Sequence, residues 1–114
     1  MGEKKLGDIY FKKQNYQKSG EWYSKVLNSK NKNAIKLSLE GIQKIGDHFR
    51  EEKNHQEAFK WYQKLLKSCP PDICVHLGNY YNDPKKYNLN HPPNLYLALK
   101  LYTKATIRLS LIHI

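Results

Sequence analysis

Apolar residues recur at intervals of three and four along most of the chain, the spacing that places side chains on one face of an α-helix. The pattern predicts six helices, over about residues 3–13, 16–27, 34–51, 56–68, 72–81 and 94–108. Pro70-Pro71 is expected to end the fourth helix, because proline cannot continue a hydrogen-bonded helix. Asp72 is expected to cap the fifth helix. Residues 82–93, rich in Asn, Pro, Lys and Tyr, are expected to form a loop. No segment of the sequence alternates apolar and polar residues for long enough to predict a strand.

One motif occurs three times in the sequence. It begins with a small residue, has Tyr four positions later and Lys two positions after that, and the small residues are Ser19, Ala58 and Ala98. An apolar-Gly pair precedes each copy, and its glycine stands 12, 12 or 20 positions upstream, at Gly7, Gly46 and Gly78. The copies therefore predict three antiparallel helix pairs in which each glycine faces a small residue, so that the two helix axes approach closely.

Tyrosines and one further glycine complete the expected packing. We expect four tyrosines to bury their rings and keep their hydroxyls near polar groups: Tyr10, Tyr23, Tyr62 and Tyr102. Gly20, inside the second predicted helix, costs about 1 kcal/mol of helix propensity, so packing is expected to compensate for it.

These motifs resemble the tetratricopeptide repeat, in which Leu-Gly-x-x-Tyr precedes Ala-x-x-x-Phe. Leu6-Gly7-Asp8-Ile9-Tyr10 matches the first half, and Ala58 with Tyr62 matches the second. The closer resemblance is to the SEL-1-like repeat, whose second helix resembles Ala58-Phe59-Lys60-Trp61-Tyr62-Gln63-Lys64 and Ala98-Leu99-Lys100-Leu101-Tyr102-Thr103-Lys104-Ala105. The resemblance implies an all-α fold, an α-solenoid of about three antiparallel pairs forming one domain over residues 1–108. Its repeats would span about residues 3–27, 34–69 and 72–106.

The same resemblance implies a non-catalytic interaction scaffold whose first helices line a concave surface that binds a peptide or a protein. We call this predicted site the first-helix surface, made of Asp8, Phe11, Lys12, Gln43, Asp47, Arg50, Asn79 and Asn82. The alternative is that these are ordinary solvated positions. Tetratricopeptide domains that grip a terminal carboxylate carry Asn where this chain has Asp8 and Asp47, and two carboxylates would repel an acidic tail.

The charge balance offers an alternative function. Twenty Lys+Arg stand against ten Asp+Glu, for a net charge of +10. This balance is compatible with a basic helical-repeat module that binds nucleic acid or an anionic membrane surface, and the salt dependence of binding would discriminate it from a protein scaffold. The lysines are scattered over outward helical positions rather than gathered in one block, which disfavours nucleic acid.

Candidate catalytic and metal chemistry is sparse. The five histidines are dispersed, and the sequence has no phosphate loop or nucleophile elbow, so we expect neither an enzyme nor a cofactor. Cys69-x4-Cys74-x-His76 lacks a second ligand pair, which favours buried or bystander thiols over a zinc site. No signal peptide precedes the first helix and no apolar stretch could span a bilayer, and a cytoplasmic protein is therefore expected.

The C-terminal hexamer, residues 109–114, breaks the preceding pattern because it is almost continuously apolar. It resembles the translation of a transposon end used to prepare sequencing libraries. We therefore expect it to be a non-native tail and the chain to be a fragment of a longer protein. The alternative is that the hexamer begins a seventh helix.

Overall fold

Six α-helices make up most of the chain, as seen in a computed structural model that describes the backbone of residues 2–112 and the side chains of residues 2–108. They are α1 (Gly2–Lys12), α2 (Tyr16–Val26), α3 (Lys32–Glu51), α4 (His55–Tyr62), α5 (Pro71–Asn82) and α6 (Leu95–Ile112). Two 3-10 segments, Gln63–Ser68 and Pro84–Tyr87, follow α4 and α5. The described residues contain no strand, and the all-helical prediction is confirmed.

Asparagine side chains begin four of the helices. Asn15, Asn31, Asn54 and Asn94 each accept a hydrogen bond from the backbone N–H three residues further on. Such a cap satisfies one of the free donors of the first turn and contributes about 1 kcal/mol. The starts of these four helices lie within two residues of the predicted starts. The end of α4 differs, because the α-helix stops at Tyr62 and the chain continues to Ser68 as a 3-10 segment.

The start of α5 differs from the prediction. Asp72 was the expected N-cap, but Pro70 occupies the N-cap position and Pro71 is the first helical residue, with no side-chain cap. Proline suits this position because its missing N–H would have no helical partner there. Asp72 instead lies in the first turn of α5, where a negative charge favours the helix dipole.

The same type of turn joins the two helices within each of the first two pairs. Gln14 after α1 and Lys53 after α3 both have φ of 61°, and each is followed by the asparagine that caps the next helix. Their backbone bonds also match, since Gln14 donates to Phe11 and Lys53 donates to Arg50. One left-handed residue is a common way to end a helix and reverse the chain.

Helices pack in the predicted pairs. α1 packs on α2, α3 on α4 and α5 on α6, while successive pairs meet mainly through α2 with α3 and through α4 with α5. The core between them holds large apolar and aromatic side chains, among them Ile42, Ile45, Trp61, Tyr62, Ile73, Leu77, Tyr80 and Leu101.

A tyrosine ring lies on the glycine at each helix crossing, whereas the sequence predicted that a small residue would face it. A Cβ atom added to Gly46 would stand 2.4 Å from Cε1 of Tyr62, far inside van der Waals contact. The corresponding distances are 2.5 Å between Gly7 and Tyr23 and 2.6 Å between Gly78 and Tyr102. The small residues Ser19, Ala58 and Ala98 are fully buried. The three crossings therefore depend on the absence of a side chain at glycine.

Two more glycines let side chains cross between pairs one and two. The second edge of the Tyr23 ring packs on Gly41 of α3, where an added Cβ would approach to 2.5 Å. The ring of Trp61 packs on Gly20 in the same way, at 2.3 Å. The contact with Trp61 is the compensation that the helix-propensity cost of Gly20 requires.

The segment 82–93, expected to be a loop, is partly built into the core. Pro84 and Leu89 are buried, and the ring of Tyr87 packs edge-on against Tyr80 at 4.9 Å between centroids. Its polar composition hid this role, because only these few side chains point inward.

The prediction of two free thiols was wrong, because Cys69 and Cys74 form a disulfide. The Pro70-Pro71 turn brings their Cα atoms to 5.5 Å, within the range a disulfide requires, although five positions separate them in sequence. The disulfide ties the 3-10 segment after α4 to α5.

The side chains of the predicted non-native tail, residues 109–114, lie outside the described residues, and α6 is described as helix through Ile112.

Candidate functional site

Two grooves lie where the first helices of neighbouring pairs face each other. The first groove, of about 340 Å³ between α1 and α3, is lined by Lys4, Asp8, Phe11, Lys12, Tyr23, Leu37, Glu40, Gly41 and Lys44. The second groove, of about 420 Å³ between the end of α3 and α5, is lined by Arg50, Lys53, His55, His76, Asn79, Tyr80, Lys86 and Tyr87. Together they contain most of the residues predicted for the first-helix surface.

The residue after each crossing glycine accepts a hydrogen bond from the tyrosine on that glycine. Tyr23 donates its hydroxyl to Asp8, Tyr62 to Asp47, and Tyr102 to Asn79 at 2.6 Å. Three residues predicted to bind a partner thus also fix the helix crossings. The sequence carried the signal for this role, since acceptor and tyrosine keep the same offsets from glycine and from the small residue in all three copies.

Opposite charges compensate each other in the first groove. Lys4 Nζ lies 2.7 Å from Asp8 Oδ2 and donates to it. Burial raises the pKa of Asp8, but the hydrogen bonds from Lys4 and Tyr23 outweigh burial, so this pKa ends below its usual value. Burial and the neighbouring carboxylate in turn raise the pKa of Tyr23. Asp8 is therefore a fixed negative charge, held by its neighbours.

Arg50 is held in place at the second groove. Its Nε donates to the hydroxyl of Tyr62 at 3.0 Å, and its terminal nitrogen lies 3.9 Å from Asp47. The hydrogen bond to Tyr62, together with nearby Asp47, raises the pKa of Arg50. Burial is the main cause of the raised pKa of Tyr62, and its hydrogen bond to Asp47 adds to it. The carboxylate of Asp47 thus accepts from Tyr62 and lies beside Arg50, outside the lining of the groove.

Two histidines contribute to the second groove in their neutral form. His55 Nδ1 lies 2.8 Å from the hydroxyl of Tyr80, and the ring of His76 stacks on Tyr62 at 6.0 Å. Burial and the positive charge of Arg50 lower the pKa of both histidines. Burial also raises the pKa of Tyr80 to about 12. The local field therefore opposes further positive charge.

The structure divides the predicted first-helix surface. Asp8, Phe11 and Lys12 come together in the first groove, and Arg50 and Asn79 in the second. The other three predicted residues are in neither lining. Asp47 lies beside Arg50 and accepts from Tyr62. Gln43 lines a separate apolar groove beside Leu39, and Asn82 is exposed at the end of α5.

Four basic residues of the second groove were not predicted: Lys53, His55, His76 and Lys86. Lys53 could have been found from the turn it shares with Gln14. Lys86 could not, because it lies in the segment expected to be a loop.

Within the described residues, no group of three or more His, Cys, Asp or Glu side chains is arranged to hold a metal ion. None of the described helices combines the length and apolarity needed to cross a bilayer. No family model, curated protein or solved structure matches the chain.

Proposed function

We propose that this chain is a non-catalytic interaction scaffold of SEL-1-like repeats, related to tetratricopeptide repeats, whose three helix pairs stack as a short α-solenoid. Its ligand is a peptide or a protein that lies along the two grooves. The observation that carries this proposal is the threefold contact of glycine, tyrosine and hydrogen-bond acceptor at the helix crossings.

Chain-order packing supports the solenoid. Each pair contacts the next one, and the strongest contacts lie within pairs. In stacked repeats each unit buries its apolar face against its neighbours, and the first helices share one side of the stack. The equivalent turns at Gln14 and Lys53 indicate that pairs one and two are versions of one unit.

The chemistry of the grooves supports a peptide or protein ligand. They combine aromatic and arginine side chains, the residue types enriched at the centres of protein interfaces, with polar groups that can fix orientation. Phe11 offers apolar contact at the first groove, and Arg50 offers directional N–H donors at the second.

Affinity capture with groove variants tests this function. Arg50→Gln and Phe11→Ala should each reduce recovery of the partner, since each removes a contact in one groove. Lys64→Gln, on the side of the second helices, is the control and should leave recovery unchanged. Equal recovery with all three variants, in protein whose circular dichroism matches the wild type, would place the binding surface elsewhere.

A second candidate is a basic module that binds nucleic acid or an anionic membrane. It is favoured by the net charge of +10 and by the second groove, whose lining has no carboxylate. Binding that weakens steeply with salt for nucleic acid of any sequence, or for anionic vesicles, would favour this candidate. A peptide-binding scaffold predicts selectivity among partners at fixed salt.

A further inference from the structure

We propose that the second groove is an oxyanion-binding site that takes a phosphate monoester or a carboxylate carried by the peptide partner. The inference rests on the proposed function, because it names the chemical group that the scaffold recognises. It stands on the charges of the second groove, on the way they are held, and on the different charge balance of the first groove.

Cationic side chains from three parts of the chain meet in the second groove. Arg50 comes from α3, Lys53 from the turn after it, and Lys86 from the 3-10 segment Pro84–Tyr87. No carboxylate lines the groove, and neither Lys53 nor Lys86 forms an ion pair within the described part of the chain. Asp47, 3.9 Å from Arg50, offsets part of one of these charges, and the remaining positive charge at a concave surface attracts an anion.

Arg50 is oriented before any ligand binds. Its Nε is held by the Tyr62 hydroxyl, while the 3.9 Å between its terminal nitrogen and Asp47 is longer than a hydrogen bond. The terminal N–H groups of the guanidinium therefore remain as donors in a fork that matches the two oxygens of a carboxylate or a phosphate. A donor that is already fixed loses little rotamer entropy on binding.

Neutral groups around the cations can complete the coordination of an oxyanion. Asn79 accepts the Tyr102 hydroxyl through Oδ1, so its amide N–H groups are left to donate. His76 lines the groove from α5 and can donate through a ring N–H. The site therefore offers both charge and directional hydrogen bonds.

The first groove shows that the anion site is not a general consequence of the fold. Four positions after the crossing glycine, the first groove has Phe11 where the second has Arg50. Two positions before the next glycine, it has Lys44 where the second has His76. The lining of the first groove also contains the carboxylates of Asp8 and Glu40, which would repel an anion, whereas their equivalents Asp47 and Asp72 lie outside the lining of the second.

Protonation gives a second readout of the same site. Burial and Arg50 keep the histidines neutral near pH 7, and a bound anion would favour their charged forms. Affinity for an anion should therefore increase as the pH falls from about 7.5 to about 5.5. The two histidines are surrounded by charged and titratable groups from four parts of the chain. These are Asp47, Arg50 and Lys53 in α3 and the turn after it, His55 on α4, Asp72, His76 and Tyr80 on α5, and Lys86 and Tyr87 in the 3-10 segment.

The test is a calorimetric titration of the whole chain, first with inorganic phosphate and with sulfate, whose charge is constant over this pH range. Lys53→Gln/Lys86→Gln should weaken binding about fivefold to tenfold, since two charges leave the site. Glutamine is compatible with the backbone at position 53, because Gln14 has the same φ of 61°. The control Lys64→Gln/Lys100→Gln removes equal charge from the side of the second helices and should change affinity less than about twofold.

Peptides then identify the source of the oxyanion. One sequence is titrated in three forms, with serine, with phosphoserine and with aspartate at one position. Preference for phosphoserine assigns a phosphate monoester, preference for aspartate assigns a carboxylate, and equal binding of all three overturns the proposal. Absence of saturable phosphate or sulfate binding, or equal weakening by the test and control variants, also overturns it. RNA or anionic vesicles that bind more tightly than every peptide would overturn the peptide assignment.

Failure of the scaffold function would look different. The titration with inorganic phosphate needs no protein partner, so it can succeed where affinity capture fails. A captured partner whose recovery is unchanged by Lys53→Gln/Lys86→Gln, but is reduced by Phe11→Ala, would support the scaffold and contradict the anion site.

Discussion

The first and second grooves occupy equivalent places between helix pairs, yet they differ in both charge and support. Two carboxylates partly offset the three lysines of the first groove, whereas the lining of the second has cations, histidines and tyrosines without an acid. Beneath each groove a tyrosine lies on a glycine and donates its hydroxyl to an aspartate, Asp8 or Asp47. The same frame therefore carries different chemistry.

The connections between pairs differ as well. Pairs one and two are joined by the polar stretch 28–31, in which Ser29 and Asn31 make local hydrogen bonds. Pairs two and three are joined through Pro70-Pro71 and the disulfide between Cys69 and Cys74. The comparison teaches that the repeat constrains the crossings, while the groove side chains and the connections vary independently.

The largest expected effect comes from filling a crossing beneath the second groove. Gly46→Leu should lower the free energy of unfolding by about 3 kcal/mol or more, because even a Cβ displaces Tyr62 and overpacking a core costs about 1–3 kcal/mol. Gly7→Leu, in a terminal pair with one neighbour, should cost less. Urea unfolding measures both, with Gly2→Ala as control, since nothing lies within 4 Å of a Cβ there. Equal and small effects at both crossings would show that the glycines do not control them.

Breaking the disulfide should have the second-largest effect, and the effect should differ between the two grooves. Cys69→Ala/Cys74→Ala should lower the free energy of unfolding by about 2 kcal/mol, from the entropy of the short loop that the bond closes. Hydrogen exchange should rise in α5 around the second groove and stay nearly constant in α1 and α2. A uniform rise across all six helices would mean that the disulfide supports the whole chain rather than one junction.

Removing a hydroxyl beneath each groove should have a smaller effect. Tyr62→Phe loses the bonds to both Asp47 and Arg50 and should cost about 1.5 kcal/mol, the lower end for hydrogen bonds to charged groups, because both partners are partly exposed. Tyr23→Phe should cost less, because Asp8 keeps its partner Lys4. Urea unfolding of the two variants checks the order. A larger loss for Tyr23→Phe would contradict the different support assigned to the two grooves.

Removing the acids of the first groove should have the smallest effect. Asp8→Asn/Glu40→Gln leaves Lys4, Lys12 and Lys44 in the lining, so the groove should gain weak, salt-sensitive phosphate binding, below that of the second groove. Calorimetry at low and high salt measures this gain. Binding as tight as in the second groove would mean that the orientation of Arg50 contributes little.

The sequence predicted the helices and crossings well because both depend on local rules. Helical periodicity acts over a few residues, and the tyrosine of each crossing stands four positions after the small residue in all three copies. The disulfide was missed because it depends on how the Pro70-Pro71 turn folds. The burial of Leu89 was missed because a polar segment hides its few inward side chains.

The second groove was only partly predictable for the same reason. Arg50 and Asn79 lie at repeat positions, so the resemblance to SEL-1-like repeats pointed to them. Lys86 enters from the insertion that the other pairs lack, and no repeat rule could place it beside Arg50. The charge of the groove arises from residues 36 positions apart in sequence, 86 minus 50, which only the fold brings together.

The central claim is that equivalent junctions of one repeated frame have different ligand chemistry. It is tested most directly by mapping amide chemical shifts of the ¹⁵N-labelled chain during titration with inorganic phosphate. We predict saturable shifts at Lys53, Asn79 and Lys86, with Lys12 and Lys44 unchanged at the same phosphate concentrations. Equal shifts at both grooves, or shifts confined to the first, would contradict this claim.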